Sequence, residues 1–142
     1  MNRFIILLFL LVFLSCKNDD NRLNRNPFLL DTAFSFDINL SLNSNLSFTG
    51  NSQYFANAGI GGIIVFNSGI GFVAWEASCP NHVPNNCSTM QVNGVEAQCS
   101  CEDYRYSLGN GQLLNPPGGD QQVYPMLNYR AIESNGIVTV SN

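Results

Sequence analysis

Four of the chain's five cysteines and its only histidine lie in one short stretch of sequence. Within it, His82 follows Cys79 by three positions, and Glu102 follows Cys99 by three positions. Residues 88–98, which separate the two pairs, contain an Asn-Gly dipeptide between short apolar segments, a pattern that predicts a β-hairpin. Because a hairpin returns the chain to its starting point, we expect the two pairs to lie side by side on neighbouring loops. This is the geometry needed to hold one ion or cluster between two loop tips.

The two loops resemble those of the Rieske iron–sulfur domain, in which each loop supplies one Cys and one His to a [2Fe-2S] cluster. Cys79 and His82 match the ligands of the first loop, and Cys99 matches the cysteine ligand of the second. Cys87 and Cys101 match two cysteines that, in the cytochrome bc type, form a disulfide between the loops. The resemblance covers roughly residues 34–140 and implies a cluster-binding subdomain built from loops, with electron transfer to a redox partner protein.

Two positions depart from the family pattern. The first loop has one extra residue between Cys79 and His82, and Glu102 stands where the second ligand histidine belongs. A Rieske centre places two histidines on one iron, and this chain has only one. A [2Fe-2S] cluster on Cys79, His82, Cys99 and Glu102 is chemically feasible but labile, since carboxylates prefer harder metals than imidazole does.

A second interpretation is a Rieske fold without a cluster. In the parent site both cysteines bind the same iron, so their sulfurs lie roughly 4 Å apart. Without iron, in an oxidising compartment, Cys79 and Cys99 are placed to form a second bridge beside Cys87–Cys101. The protein would then be a disulfide-braced binding or structural protein.

A third interpretation is a site for one metal ion or an enzyme. Zn²⁺ on Cys79, Cys99, His82 and Glu102 belongs to this class, as does a Cys79–His82 nucleophile pair. A nucleophile pair needs a third group to orient its base, and Asp103 is the available acid. The chain has no room for the catalytic domain of a Rieske oxygenase. We therefore expect at most a stand-alone redox carrier, and the three interpretations stay open.

The N-terminus predicts export and lipid anchoring. Residues 4–14 are apolar, about half the length of a membrane-spanning helix, so residues 1–15 are interpreted as a signal peptide. Phe13-Leu14-Ser15-Cys16 resembles a bacterial lipobox, which implies cleavage before Cys16 and acylation of its thiol. Residues 16–26 would be a polar tether and residues 27–142 the folded domain. The acidic residues after Cys16 resemble a sorting tag for the outer membrane, on its periplasmic or cell-surface face; an ordinary secretory peptide is the alternative.

Composition agrees with an exported protein. Removing residues 1–15 takes away Arg3, so the six basic residues become five against ten acidic ones, a formal charge of −5. The chain has no basic stripe, which argues against nucleic-acid binding. With Cys16 acylated, four cysteines remain, an even number typical of paired thiols in secreted proteins. The expected partners are a membrane, through the anchor, and an unidentified redox or binding protein.

The rest of the sequence predicts strands. Apolar side chains alternate over residues 34–40, so Phe34, Phe36, Ile38 and Leu40 share one face. Residues 63–76 predict a hairpin around Asn67-Ser68-Gly69, and residues 127–140 predict another around Ser134-Asn135-Gly136. No stretch outside the signal peptide shows helical periodicity. The sequence therefore predicts an all-β antiparallel fold, a Rieske-like sandwich or small barrel with a loop-built subdomain at one end.

Overall fold

The computed structural model describes residues 26–30 and 32–142. It contains nine strands: β1 (Ser35–Asn39), β2 (Ser52–Phe55), β3 (Ile63–Asn67), β4 (Phe72–Glu76), β5 (Gln91–Asn93), β6 (Glu96–Gln98), β7 (Arg105–Ser107), β8 (Asn128–Ser134) and β9 (Ile137–Ser141). A 3₁₀ turn at Ser44–Ser47 is the only helical element of the described part of the chain. Every strand pair is antiparallel.

The strands form two sheets. The larger has six strands in the order β1-β9-β8-β4-β3-β2, and the smaller has three in the order β5-β6-β7. Strand β3 is buried on both faces, and its side chains alternate between two apolar clusters. Ile64 and Phe66 point into a cluster shared with the small sheet, while Ile63 and Val65 point into a cluster on the opposite face. An apolar run without polar alternation is what a strand buried on both faces requires.

The cluster between the sheets, which we call the first core, carries the loops of interest. Trp75 from β4 and Tyr106 from β7 pack there together with Cys79 and Cys99. The Trp75 indole Nε1 donates a 2.8 Å hydrogen bond to the carbonyl of Leu108, which satisfies its one polar atom inside the core. The two cysteines are therefore core residues as well as loop residues.

The opposite cluster, the second core, closes the other face of the large sheet. Phe34, Phe36, Ile38 and Leu40 all pack there, as the alternation of apolar residues predicts. The ring of Phe34 meets the ring of Tyr129 edge-on at 4.8 Å between centroids. Ile38 is 1% exposed, and full burial of a side chain of its size contributes about 1.5–3 kcal/mol to folding. Strand β1 is therefore held by side-chain packing as well as by its pairing with β9.

The predicted all-β antiparallel class, with loops projecting from one end, is confirmed. The turn of the β8–β9 hairpin is Asn135-Gly136, with φ of 52° and 76°, as expected for a two-residue turn that needs left-handed backbone. The predicted Asn93-Gly94 turn is wrong by one residue. Asn93 pairs with Glu96, so Gly94-Val95 forms the turn, with only Gly94 at positive φ.

One further boundary and one strand differ from the sequence expectation. Strand β4 begins at Phe72, and Ile70 is 99% exposed in the preceding loop. Gly69 and Gly71, at φ of 86° and 151°, break the strand there. Strand β2 was not predicted, because its sequence lacks apolar alternation and its pairing with β3 supplies the order.

The predicted signal peptide, residues 1–15, and the acylation site Cys16 lie outside the described residues, as does the tether up to residue 25. Over the part of the chain that the structure describes, no helix has the length and apolar character needed to cross a membrane.

Candidate functional site

Two loops project from the first core. The first site loop, residues 79–88, begins shortly after the end of β4, and it is closed by a 2.8 Å hydrogen bond from the Cys79 amide to the carbonyl of Ser88. The second site loop, residues 99–104, joins β6 to β7, and the Cys99 amide donates to the Tyr104 carbonyl at 2.8 Å. Asp103 takes a φ of 59° to make this tight turn, a conformation that Asp tolerates better than most residues. Both loops are thus fixed at their bases by backbone hydrogen bonds.

Two disulfides cross-link the loops. Cys79 is bonded to Cys99, with 5.6 Å between their Cα atoms, and Cys87 is bonded to Cys101, with 5.5 Å. These separations are usual for disulfides. The Cys79–Cys99 bridge is fully buried in the first core, whereas Cys87 is exposed. We call them the inner bridge and the outer bridge.

His82 and Glu102 lie beside the inner bridge. The Glu102 carboxylate lies within hydrogen-bond distance of His82 Nδ1 through Oε1, and its Oε2 lies 3.0 Å from Cys99 Sγ. On the other side of the ring, His82 Nε2 lies 2.8 Å from Ser88 Oγ, which also accepts a 2.6 Å hydrogen bond from the Asn85 amide. The imidazole is therefore held from both nitrogens, with Nδ1 facing the carboxylate.

All four residues predicted as metal ligands come together, with Cys101 as a fifth. One ligand atom from each of Cys79, His82, Cys99, Cys101 and Glu102 lies within 4.8 Å of every other. Such a group could hold a metal ion. Ligands of one tetrahedral ion are separated by about 3.3–3.8 Å, given metal–ligand bonds of about 2.0–2.3 Å. The spread of these atoms is therefore close to that of ligands on a single ion.

The residues present do not fit a Rieske [2Fe-2S] centre. Such a centre needs two thiolates on one iron and two imidazoles on the other. Both matching sulfurs, of Cys79 and Cys99, are bonded to each other, and the chain has one histidine. The residue in place of the second histidine, Glu102, is paired with the first.

Asn81 fastens the first site loop to the rest of the molecule, a role that the sequence did not indicate. Its Oδ1 accepts a 2.7 Å hydrogen bond from the Tyr124 amide, and its Nδ2 donates to the Tyr124 carbonyl at 3.0 Å and to the Tyr106 hydroxyl at 2.8 Å. Asn81 lies within the stretch that is one residue longer than the family pattern. The added length is thus used for a side chain that ties two other segments to the loop.

Tyr106 is buried beneath this loop. Burial raises the pKa of its phenol well above the usual range, because the charged phenolate would lose its hydration. The hydrogen bond from Asn81 lowers this pKa, whereas the negative charge of Glu102 raises it further. The hydroxyl therefore stays protonated across the physiological pH range. It accepts a hydrogen bond from Asn81 and carries no charge into the site.

Glu76, the last residue of β4, is a buried carboxylate that fixes the chain just before the first site loop. Its Oε1 accepts hydrogen bonds from the amides of Gly61 at 2.8 Å and Ser78 at 2.7 Å. Its Oε2 accepts from the Ile60 amide at 2.7 Å and the Tyr129 hydroxyl at 2.6 Å. The Gly-rich segment before β3 is needed here, because a Cβ on Gly59 would lie 2.6 Å from Glu76 Oε2.

The first described residues of the chain lie against the site. Asn26 Nδ2 donates a 2.7 Å hydrogen bond to the carbonyl of Pro80, inside the first site loop. The ring of Phe28 meets the ring of Tyr124 edge-on at 6.1 Å, and Leu29 is buried. The start of the folded domain is therefore at the same end of the molecule as the two loops.

No protein-family model and no curated protein sequence matches the chain. Among solved structures, the ferredoxin of carbazole 1,9a-dioxygenase from Nocardioides aromaticivorans IC177 is 18% identical, with a TM-score of 0.49, over 78% of this chain and 97% of that one. A chain of the complex of reduced oxygenase and oxidized ferredoxin in carbazole 1,9a-dioxygenase is 18% identical, with a TM-score of 0.47, over 66% and 82%. At this level the likeness supports no statement about function.

Proposed function

We propose that the chain is an exported, lipid-anchored protein with Rieske-like loops and no cluster, which binds a partner through those loops. The observation that supports the proposal most directly is the inner bridge, because it joins the two cysteines that match the cluster ligands of the family. A sulfur in a disulfide is not a thiolate, and the thiolate is the form that binds metal. The bridge then occupies the place of the metal.

The two bridges favour a binding role because they make the loops rigid. Each closes a loop of 14 to 20 residues, for which chain-entropy arguments give about 3 kcal/mol of stabilisation. A surface that is already ordered loses less entropy when a partner binds. Val83 is 68% exposed on the first site loop and Leu114 is 45% exposed on the segment after β7. Apolar side chains on rigid loops are suited to contact with another protein.

One observation favours a second candidate, electron transfer by a metal centre. Five ligand atoms from cysteine, histidine and glutamate lie within 4.8 Å of one another. An electron carrier with a [2Fe-2S] cluster on Cys79, His82, Cys99 and Glu102, acting on a redox partner protein, would need both inner sulfurs as thiolates. The state of those two sulfurs therefore separates the candidates.

The deciding experiment is a count of thiols and metals. Full-length chain is purified anaerobically in detergent from cells able to build iron–sulfur clusters, then alkylated under denaturing conditions, with iron and sulfide measured in parallel. We expect all four of Cys79, Cys87, Cys99 and Cys101 to resist alkylation and iron to be absent. Free thiols at Cys79 and Cys99, with two irons per chain and a visible absorption band, would refute the cluster-free function and establish the second candidate.

Anchoring and location are tested separately. We expect Cys16→Ser to abolish incorporation of labelled fatty acid. Ser15→Ala is the matched control, since it keeps a small residue before the acylated cysteine. Protease treatment of intact cells then separates the cell-surface face of the outer membrane from the periplasmic face. Incorporation of labelled fatty acid into Cys16→Ser equal to that into the unaltered chain would refute the lipid anchor.

A further inference from the structure

We propose that reduction of the inner bridge exposes a site for one transition-metal ion, of the Zn²⁺ class, with Cys79, Cys99, His82 and Glu102 as its four ligands. The proposal rests on the proposed function in one respect, namely that the isolated protein carries the inner bridge. It differs from a cluster carrier because it needs one histidine, one ion and no inorganic sulfide. The protein would alternate between a disulfide-locked form and a metal-bound form.

The positions of the four donors support a single ion. Their ligand atoms already lie within 4.8 Å of one another, and breaking the inner bridge lets its sulfurs separate to the roughly 3.8 Å found between two thiolates on one zinc. Glu102 lies between the other two kinds of donor, in contact with both His82 Nδ1 and Cys99 Sγ. Ligands of a two-iron cluster lie on opposite irons and are spread more widely than this.

The histidine is oriented for such a role by a group outside the ligand set. Ser88 Oγ lies 2.8 Å from His82 Nε2. When Nδ1 binds a metal, Nε2 carries the proton and donates a hydrogen bond to this hydroxyl oxygen. A hydrogen bond to the free nitrogen of a ligand histidine fixes its ring and its tautomer and raises its affinity for metal. Ser88 is 2% exposed and is itself fixed by the Asn85 amide.

A dithiol, either a small molecule or a thiol–disulfide exchange protein, gives two electrons and two protons to the Cys79–Cys99 disulfide and becomes a disulfide itself. The two new thiols release their protons when Zn²⁺ binds as a thiolate complex. Two thiolates and a carboxylate bring three negative charges to the ion, and one imidazole completes a tetrahedral set of S, N and O donors that zinc accepts.

The test uses full-length chain in detergent with Cys87→Ser and Cys101→Ser, so that the inner bridge holds the only thiols of the two loops. The oxidised form and the form reduced with a phosphine are each titrated with Co²⁺, whose thiolate charge-transfer bands report sulfur ligation, and Zn²⁺ is then added to displace it. We expect the reduced chain to bind one Co²⁺ with these bands. The oxidised chain should bind at least about 100-fold more weakly, because it offers no thiolate.

Matched variants identify the other ligands. His82→Ala and Glu102→Gln should each weaken binding to the reduced chain by at least tenfold, and Ser88→Ala by about 10–100-fold. Asp103→Asn is the control for Glu102→Gln. It removes the neighbouring carboxylate, which accepts a hydrogen bond from Gln98 and does not belong to the group of ligand atoms, so it should leave the affinity unchanged. Amide spectra of each variant establish that it is folded before the titration.

The outcomes separate this inference from the proposed function. Isolated chain that carries iron and free inner thiols would overturn the proposed function. Isolated chain that has both bridges, but whose reduced and folded form binds no Co²⁺ with charge-transfer bands, would overturn the metal site alone. Equal affinity in the reduced chain, His82→Ala and Glu102→Gln would also overturn the assigned ligand set.

Discussion

The inner bridge should contribute more to stability than the outer bridge, although the two close similar loops. The sequence separations are 20 residues for Cys79–Cys99 and 14 for Cys87–Cys101. The chain-entropy relation gives about 3.3 kcal/mol for the first and about 3.0 kcal/mol for the second. Entropy alone therefore predicts nearly equal losses of stability when each bridge is replaced by a pair of alanines.

Burial of its sulfurs is what makes the inner bridge contribute more to stability than the outer bridge. Cys79 and Cys99 are fully buried in the first core, whereas Cys87 is exposed and Cys101 is partly buried. Changing the inner pair to alanine also removes two buried sulfurs and leaves a small cavity, which costs roughly a further 1–2 kcal/mol. We expect Cys79→Ala with Cys99→Ala to lower the free energy of unfolding by about 4–5 kcal/mol, and Cys87→Ala with Cys101→Ala by about 3 kcal/mol.

The assay is equilibrium unfolding in guanidinium chloride, with a chelator present and no reductant, comparing midpoints and slopes of the two double variants with the unaltered chain. A chelator removes any contribution from bound metal. Fully reduced, unaltered chain gives the effect of losing both bridges without changing the side chains. An inner-pair cost equal to or below the outer-pair cost would refute the view that the inner bridge is part of the core.

Three further results are expected. Glu76→Gln should cost about 3–5 kcal/mol in a denaturant titration, because the new amide NH2 would face two of the four hydrogen-bond donors and the other two would lose a charged acceptor. A cost below about 1 kcal/mol would contradict this. Gly111→Ala should lower the free energy of unfolding by more than about 2 kcal/mol and shift the fluorescence emission of Trp75. The reason is that Gly111 has a φ of +71° and the new Cβ would lie 2.6 Å from the indole ring. Gly118→Ala is the control, because a Cβ there meets no atom within 4 Å, and it should leave stability unchanged. Tyr106 should resist ionisation above pH about 10, its usual pKa. Because its folded pKa is raised, the stability it confers is complete below that pH and is lost as pH rises toward the folded value. Of the phenolate absorbance of the five tyrosines, the share that is missing in Tyr106→Phe should therefore appear only with unfolding.

Patterns that depend on local chemistry could be predicted from the sequence. The alternation over residues 34–40 identified a strand and its buried face, and Asn135-Gly136 identified a turn, because a period of two and a left-handed dipeptide each have one common structural solution. The loop cysteines were brought together by the hairpin between them. These signals are carried by residues close together in the chain.

Contacts between distant segments could not be predicted in this way. Asn81 bonds to Tyr124, 43 positions away, and Glu76 bonds to Tyr129, 53 positions away. The sequence around Asn81 and around Glu76 contains no pattern that indicates these partners. The Gly94-Val95 turn was missed because two registers of that hairpin satisfy the local rules, and the pairing of β6 with β7 selects one of them.

The hydrogen bond from Asn26 to Pro80 limits how far the two site loops can lie from the bilayer. From Cys16 to Asn26 the chain has ten peptide units, which span at most about 35 Å when fully extended. With Cys16 acylated, as we propose, the tether of residues 16–26 joins the folded domain beside the first site loop. The loops would then stay within that radius of the membrane, so a binding partner would be found at the membrane surface rather than in the space beyond it.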